Sequence, residues 1–134
     1  LYHARVALEG IVLKPNMVIS GKKCPRQAGR AEVAEKTLKV LKRCVPAAVP
    51  GIAFLSGGQS SLDATAHLHL MNAAGPLPWK LTFSYGRALQ SDALKAWGGK
   101  TENIAAAQRA FSHRARMNAL ASTGSWSQEL ETAA

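Results

Sequence analysis

The chain has 134 residues, of which 47% are hydrophobic and 19% charged, with a formal net charge of +9. Those proportions belong to globular proteins and exclude a disordered or fibrous chain. No apolar stretch is long enough to span a bilayer and no secretory-leader pattern opens the sequence, so no membrane partner is expected.

The first element is the apolar run Leu8-Glu9-Gly10-Ile11-Val12-Leu13-Lys14, stopped by Pro15 and Asn16. It predicts a buried strand over residues 8–14 with Lys14 emerging at its end. Apolar surroundings would disfavour the charged form of that lysine and free an amine able to attack a carbonyl. Taken alone, the segment reads better as a surface lysine at a strand terminus, because lysine is mostly exposed. Lys22, Lys23, Arg26 and Arg30 cluster next, and residues 1–44 hold ten of the 17 basic residues against three of the eight acids. Such a cluster can attract nucleic acid, but no aromatic residue interleaves with it and no nucleic-acid motif accompanies it. A helix follows, with its apolar stripe assigned to Val33, Thr37, Val40, Leu41 and Cys44. Lys36, Lys39, Lys42 and Arg43 lie on the other side and read as a solvated face.

The second strand lies in Gly51-Ile52-Ala53-Phe54-Leu55 and breaks into Ser56-Gly57-Gly58-Gln59. Ser60-Ser61-Leu62-Asp63 has the form of a capping box and predicts a helix running to about Asn72. His67 and His69 are two apart and would point to different faces of it, so no histidine metal site is argued. Gly75-Pro76-Leu77-Pro78 interrupts the chain before a third strand, Trp79-Lys80-Leu81-Thr82-Phe83, which breaks at Ser84-Tyr85-Gly86-Arg87. Residues 88–97 should be helical and closed by Gly98-Gly99. Thr101 is placed to cap a longer helix over residues 102–122, and the tail beyond Gly124 is expected to be loose. Cys24 and Cys44 lack metal-ligand spacing; they could form one bridge, but reduced thiols of an intracellular enzyme are the better reading, and a cytoplasmic location is expected.

Strand and helix thus alternate, which predicts an α/β fold with parallel strands covered on both faces. The C-terminal ends of parallel strands lie on one side, so Lys14, Ser56-Gly57-Gly58 and Ser84-Tyr85-Gly86-Arg87 should converge. Glycines let backbone N–H groups approach an anion, the serines add hydroxyl donors, and Arg87 offers a planar fork to a phosphate. Tight turns and a solvated arginine in a first helical turn are the plainer readings of the same residues. An amine nucleophile beside a phosphate cradle suits Schiff-base chemistry on a phosphorylated carbonyl compound.

The residues also resemble a known family. Leu8-Glu9-Gly10 with Leu13-Lys14-Pro15-Asn16-Met17-Val18 is similar to the Schiff-base strand of class I fructose-bisphosphate aldolase. Phe54-Leu55-Ser56-Gly57-Gly58-Gln59-Ser60 resembles that family's next strand and phosphate loop. Leu81-Thr82-Phe83-Ser84-Tyr85-Gly86-Arg87-Ala88-Leu89-Gln90 resembles its eighth strand and following helix, and Leu94-Lys95-Ala96-Trp97-Gly98-Gly99-Lys100 with Glu102-Asn103 continues the match. The resemblance implies a (β/α)8 TIM barrel that reversibly cleaves fructose 1,6-bisphosphate to dihydroxyacetone phosphate and glyceraldehyde 3-phosphate. It implies Lys14 as the imine-forming residue and Ser56, Gly57, Gly58, Ser84, Gly86 and Arg87 as phosphate ligands, with no cofactor or metal and with a homotetramer at full length.

A complete barrel of this kind needs about 250 residues. Residues 1–134 are therefore expected to be one partial domain, a C-terminal portion holding about strands 6 to 8 and their helices. A first residue that is leucine agrees with a piece of a longer protein. By the resemblance, the family's general acid/base carboxylates lie on earlier strands outside this chain. The family also commonly ends in a flexible tail with a terminal tyrosine, where this chain has Ser125-Trp126-Ser127-Gln128-Glu129-Leu130-Glu131-Thr132-Ala133-Ala134. The expected function is aldolase chemistry with a phosphorylated sugar as partner, the isolated piece being inactive. The alternatives are a non-catalytic aldolase-like binding or assembly fragment and, last, a basic nucleic-acid-binding domain.

Overall fold

The computed structural model describes residues 1–132 and alternates three strands with helices. In chain order these are β1 (Val12–Leu13), α1 (Arg30–Cys44), β2 (Gly51–Phe54), α2 (Ser61–Ala73), β3 (Lys80–Phe83), α3 (Arg87–Trp97) and α4 (Ile104–Ser122), with short 3-10 turns at Leu8–Gly10, Thr101–Asn103 and Gln128–Glu131. The strands are parallel in the order β1-β2-β3, as the alternation predicts. Leu13 is paired with Ile52, Ile52 with Leu81, and Phe54 with Phe83, so β2 and β3 end level while β1 ends two residues earlier, opposite Ile52. The pairing runs on past the strands: Leu55 N–H donates to the Pro15 carbonyl at 3.0 Å, and Ser84 N–H to the Phe54 carbonyl at 2.8 Å.

Alternation along each strand puts Ile52, Phe54 and Leu81 on one face, where they are almost fully buried beneath the helices with Val33, Leu41, Leu68 and Met71. The opposite face is not covered to the same degree: Val12 is 65% exposed and Lys14 is exposed. This departs from the expected burial on both faces. β1 pairs with β2 alone among the described residues, so its other edge is also open.

The first strand is shorter than the run 8–14 predicts. Leu8–Gly10 forms a 3-10 turn because no neighbouring strand meets it, and its backbone bonds locally, Gly10 N–H to Ala7 O at 3.2 Å and Ile11 N–H to Leu8 O at 3.3 Å. In α1 the buried stripe is Val33, Ala34, Thr37, Leu38 and Leu41, rotated from the expected one. Val40 is 46% exposed and Cys44 is exposed, since Ala34 and Leu38 face α2 in their place. Lys36, Lys39, Lys42 and Arg43 are solvated, as expected.

α2 begins at the predicted cap. Ser60 Oγ accepts from Asp63 N–H at 3.0 Å, and its hydroxyl lies 2.8 Å from Asp63 Oδ2. α3 ends on Gly98 at φ 58°, a left-handed turn suited to glycine. Thr101 does not cap the last helix. It opens the 3-10 turn, and Asn103 occupies the cap position with its side chain turned back to the Trp97 carbonyl at 3.0 Å.

The tail is not loose through residue 132. Trp126 is buried against His69, and its indole N–H donates to Glu131 at 2.8 Å. Glu131 in turn receives both guanidinium arms of buried Arg114, each at 2.9 Å. Residues 133 and 134 lie outside the described residues.

Candidate active site

The shared direction of the strands brings the three predicted segments to one end of the sheet. Lys14 follows β1 directly, the Ser56–Gly58 turn follows β2, and Ser84–Arg87 follows β3. Gly57 and Gly58 have φ of 58° and 84°, backbone that other residues adopt only with strain. A Cβ at Gly57 would collide with the Asn16 side chain, and one at Gly58 would stand 3.9 Å from Arg87 Nη2. The first loop is therefore wedged between Asn16 from the end of β1 and Arg87 from the start of α3. Neither Gly57 N–H nor Gly58 N–H donates to an acceptor among the described residues. Arg87 is exposed and pairs with no carboxylate among them, so its fork is free beside those two amides. Two backbone donors and a guanidinium on one small surface suit an oxyanion.

Both loops are tied to α2. In the first, Ser56 is buried, and its carbonyl accepts from Gln59 N–H at 3.0 Å and from Gln59 Nε2 at 2.8 Å. Gln59 Oε1 lies 2.6 Å from Nδ1 of His67, itself buried in α2. Burial pushes the His67 pKa down, against the raising effect of Asp63 and with a further lowering from Arg30. In the second loop Tyr85 is buried, and its hydroxyl donates to the Ala64 carbonyl at 2.9 Å. Burial pushes its phenol well above the usual range, so it stays a neutral donor. Ser84 and Gly86 flank it on the exposed side. At the mouth of α2, Arg30 binds Asp63 at 2.8 Å. Burial alone would raise the Asp63 carboxyl, but the bonds from Ser60 and Arg30 outweigh it and hold it low.

Lys14 is exposed where it emerges from β1, without the apolar surroundings that would disfavour its charged form. Asn16, Gln59, His67 and Tyr85 were not singled out by the sequence. Their contacts cross between elements, and only the positive φ of Gly57, invisible in a sequence, points to Asn16.

The family model described as fructose-bisphosphate aldolase class-I, glycolytic, matches residues 1–134. The chain belongs to this family. Fructose-bisphosphate aldolase 2 of Caenorhabditis elegans is 57% identical over 92% of this chain and 34% of its own length. The chloroplastic fructose-bisphosphate aldolase 1 of Chlamydomonas reinhardtii is 54% identical over 95% of this chain and 33% of its own. A solved structure of the Plasmodium falciparum aldolase, in complex with TRAP and a small-molecule inhibitor, superposes with a TM-score of 0.87 at 49% identity, covering 92% of this chain and 35% of that one. The chain thus spans about a third of the length of the aldolases it matches. Its three parallel strands and their helices correspond to part of an aldolase TIM barrel. The family binds phosphorylated sugars, which agrees with the chemistry of the free amides and Arg87.

Proposed function

We propose that this segment supplies the imine-forming lysine and one phosphate site of a fructose-bisphosphate aldolase, and that residues 1–134 form a single partial barrel domain. The observation that carries the reading is the parallel strand order, with Arg87 beside Gly58 at the same end of the sheet as Lys14. Lys14 Nζ attacks the ketose carbonyl, water leaves, and a protonated imine forms. That imine withdraws electrons as the carbon–carbon bond breaks, releasing glyceraldehyde 3-phosphate and leaving dihydroxyacetone phosphate to be freed by hydrolysis. Ser56, Gly57, Gly58, Ser84, Gly86 and Arg87 hold one phosphate and so fix the carbonyl against the amine. The general acid/base groups come from the remaining two thirds of the barrel. At full length we assign a homotetramer. We place it in the cytoplasm, the compartment of glycolysis, although the algal relative is chloroplastic.

The test uses a completed barrel, in which this segment replaces the matching third of the C. elegans relative. Incubation with fructose 1,6-bisphosphate and borohydride should label Lys14, read by peptide mass. Lys14→Met should abolish trapping, and Lys14→Arg should too, because a guanidinium stays protonated. Labelling of another lysine with Lys14→Met still trapping substrate overturns the assignment. Because the chain spans about a third of its relatives, a second reading is a non-catalytic binding or assembly fragment. A completed barrel that binds substrate but never traps it would favour that reading.

A further inference from the structure

Peptide units beside glycine flip readily, because glycine accepts both signs of φ. Gly57 sits at φ 58°, and reversal of the Ser56–Gly57 peptide would carry it to another conformation open to glycine. Which way this peptide faces decides where the Gly57 N–H points, since a trans peptide holds its C=O and N–H in opposite directions, and no peptide bond here is cis.

The hydrogen bonds around it form a directed chain. The Ser56 carbonyl can only accept, so the amide nitrogen of Gln59 must face it. Gln59 Oε1 then faces His67, and the Nδ1 atom must carry the ring proton. His67 is 5% exposed and held by the packing of α2, which gives the chain a rigid anchor. Both bonds on the Ser56 carbonyl draw it toward Gln59 and α2.

We infer that Gln59 and His67 are positioning residues that lock the Ser56–Gly57 peptide with its carbonyl toward α2 and its N–H toward the bound phosphate. This rests on the phosphate role proposed above for the loop. Neither side chain touches substrate. Gln59 acts through the peptide, and His67 acts through Gln59.

The test uses the completed barrel with variants Gln59→Leu, His67→Leu and His67→Asn. Inorganic phosphate binding is measured by calorimetry, and KM and kcat are compared for fructose 1,6-bisphosphate and unphosphorylated fructose. Gln59→Leu and His67→Leu should each weaken phosphate about tenfold, the worth of one charge-assisted bond, with a smaller change for fructose. His67→Asn should recover most of that loss, because its amide nitrogen occupies the place of Nδ1 and can donate to Gln59. Melting temperatures identify any variant that merely unfolds. Should one of the leucine variants unfold, the other, with its Gly57 amide shift by NMR, supplies the answer. Equal losses for phosphate and for fructose, or no difference between Leu and Asn at position 67, overturn the positioning role. If Arg87→Ala weakens phosphate while Gln59→Leu does not, the phosphate site stands and only this inference fails. If the unaltered barrel binds no phosphate, both fail.

Discussion

Arg87 stands exposed in the first turn of α3, with Nη2 beside Gly58. In the proposed site a guanidinium there would add charge-assisted hydrogen bonds to a phosphate held by two backbone amides. Its removal in Arg87→Ala should cost about 1.5–3 kcal/mol, or roughly 10- to 150-fold in affinity for a phosphorylated ketose. The cost should be much smaller for an unphosphorylated one, and direct binding measurements on the completed barrel would show it. An equal loss for both sugars would mean that Arg87 is structural. At this scale the sequence was a partial guide. Lys14, Ser56, Gly57, Gly58 and Arg87 stand where chemistry and spacing predict, at the ends of parallel strands, because the strand-to-turn breaks are local signals. Asn16 and the pair Gln59 and His67 were not legible. Their significance comes from a collision distance at Gly57 and from two hydrogen bonds that no sequence periodicity reports.

At the scale of elements, the largest unexpected feature is the docked tail. Arg114 in α4 is buried, and its charge is met by Glu131 from the last 3-10 turn, with Asp92 of α3 at 3.6 Å from Nε. Trp126 and His113 also bond to the Glu131 carboxylate. Burial alone would raise the pKa of Glu131, but the bonds from Arg114 and Trp126, the Arg114 charge and the His113 bond together hold it below the usual value of 4.5. A carboxyl with a depressed folded pKa stabilises fully above its unfolded pKa and loses that contribution as pH falls through the folded one. Tail protection, followed by hydrogen exchange in the completed barrel, should therefore be flat at neutral pH and decline only below about pH 4.5. Glu131→Gln should remove that acid-dependent step. Glu131→Ala should destabilise the docked tail by about 3 kcal/mol, because it leaves Arg114 buried with the Thr65 hydroxyl and, as its one nearby carboxylate among the described residues, Asp92. A tail equally protected in Glu131→Ala and in the parent would refute the latch. The sequence concealed this element because Trp126 and Glu131 lie beyond Gly124, in a stretch with no helical period. The rotated stripe of α1 has a related cause. The period was right, but Leu38 and Val40 compete for the core, and only the position of α2 selects Leu38.

At the scale of the whole molecule, β1 and β3 each pair only with β2 among the described residues. Val12 is 65% exposed, and at the N-terminal end Leu1 and Tyr2 are 69% and 92% exposed. Unpaired strand edges beside apolar surface favour association between chains. The alternation of apolar runs and helical stripes made the parallel order legible. It could not show which sheet face lies open, because a strand covered on both faces and one awaiting neighbours have the same composition. The 134-residue chain alone should therefore be aggregation-prone or only partly ordered and have no meaningful aldolase turnover, since the acid/base groups proposed for cleavage belong to the rest of the barrel. Supplying the two thirds of a related aldolase that this chain does not match, as a separate chain, should raise both solubility and activity, because it would pair the open edges and complete the site. Light scattering on the purified chain, with and without that partner, and an assay of fructose 1,6-bisphosphate cleavage check this. A well-folded monomer turning over substrate at a rate near that of an intact enzyme would overturn the prediction. It would mean that three strands suffice to hold Lys14 and the phosphate loop in working geometry, and that acid/base groups within this chain serve in place of those assigned to the rest of the barrel.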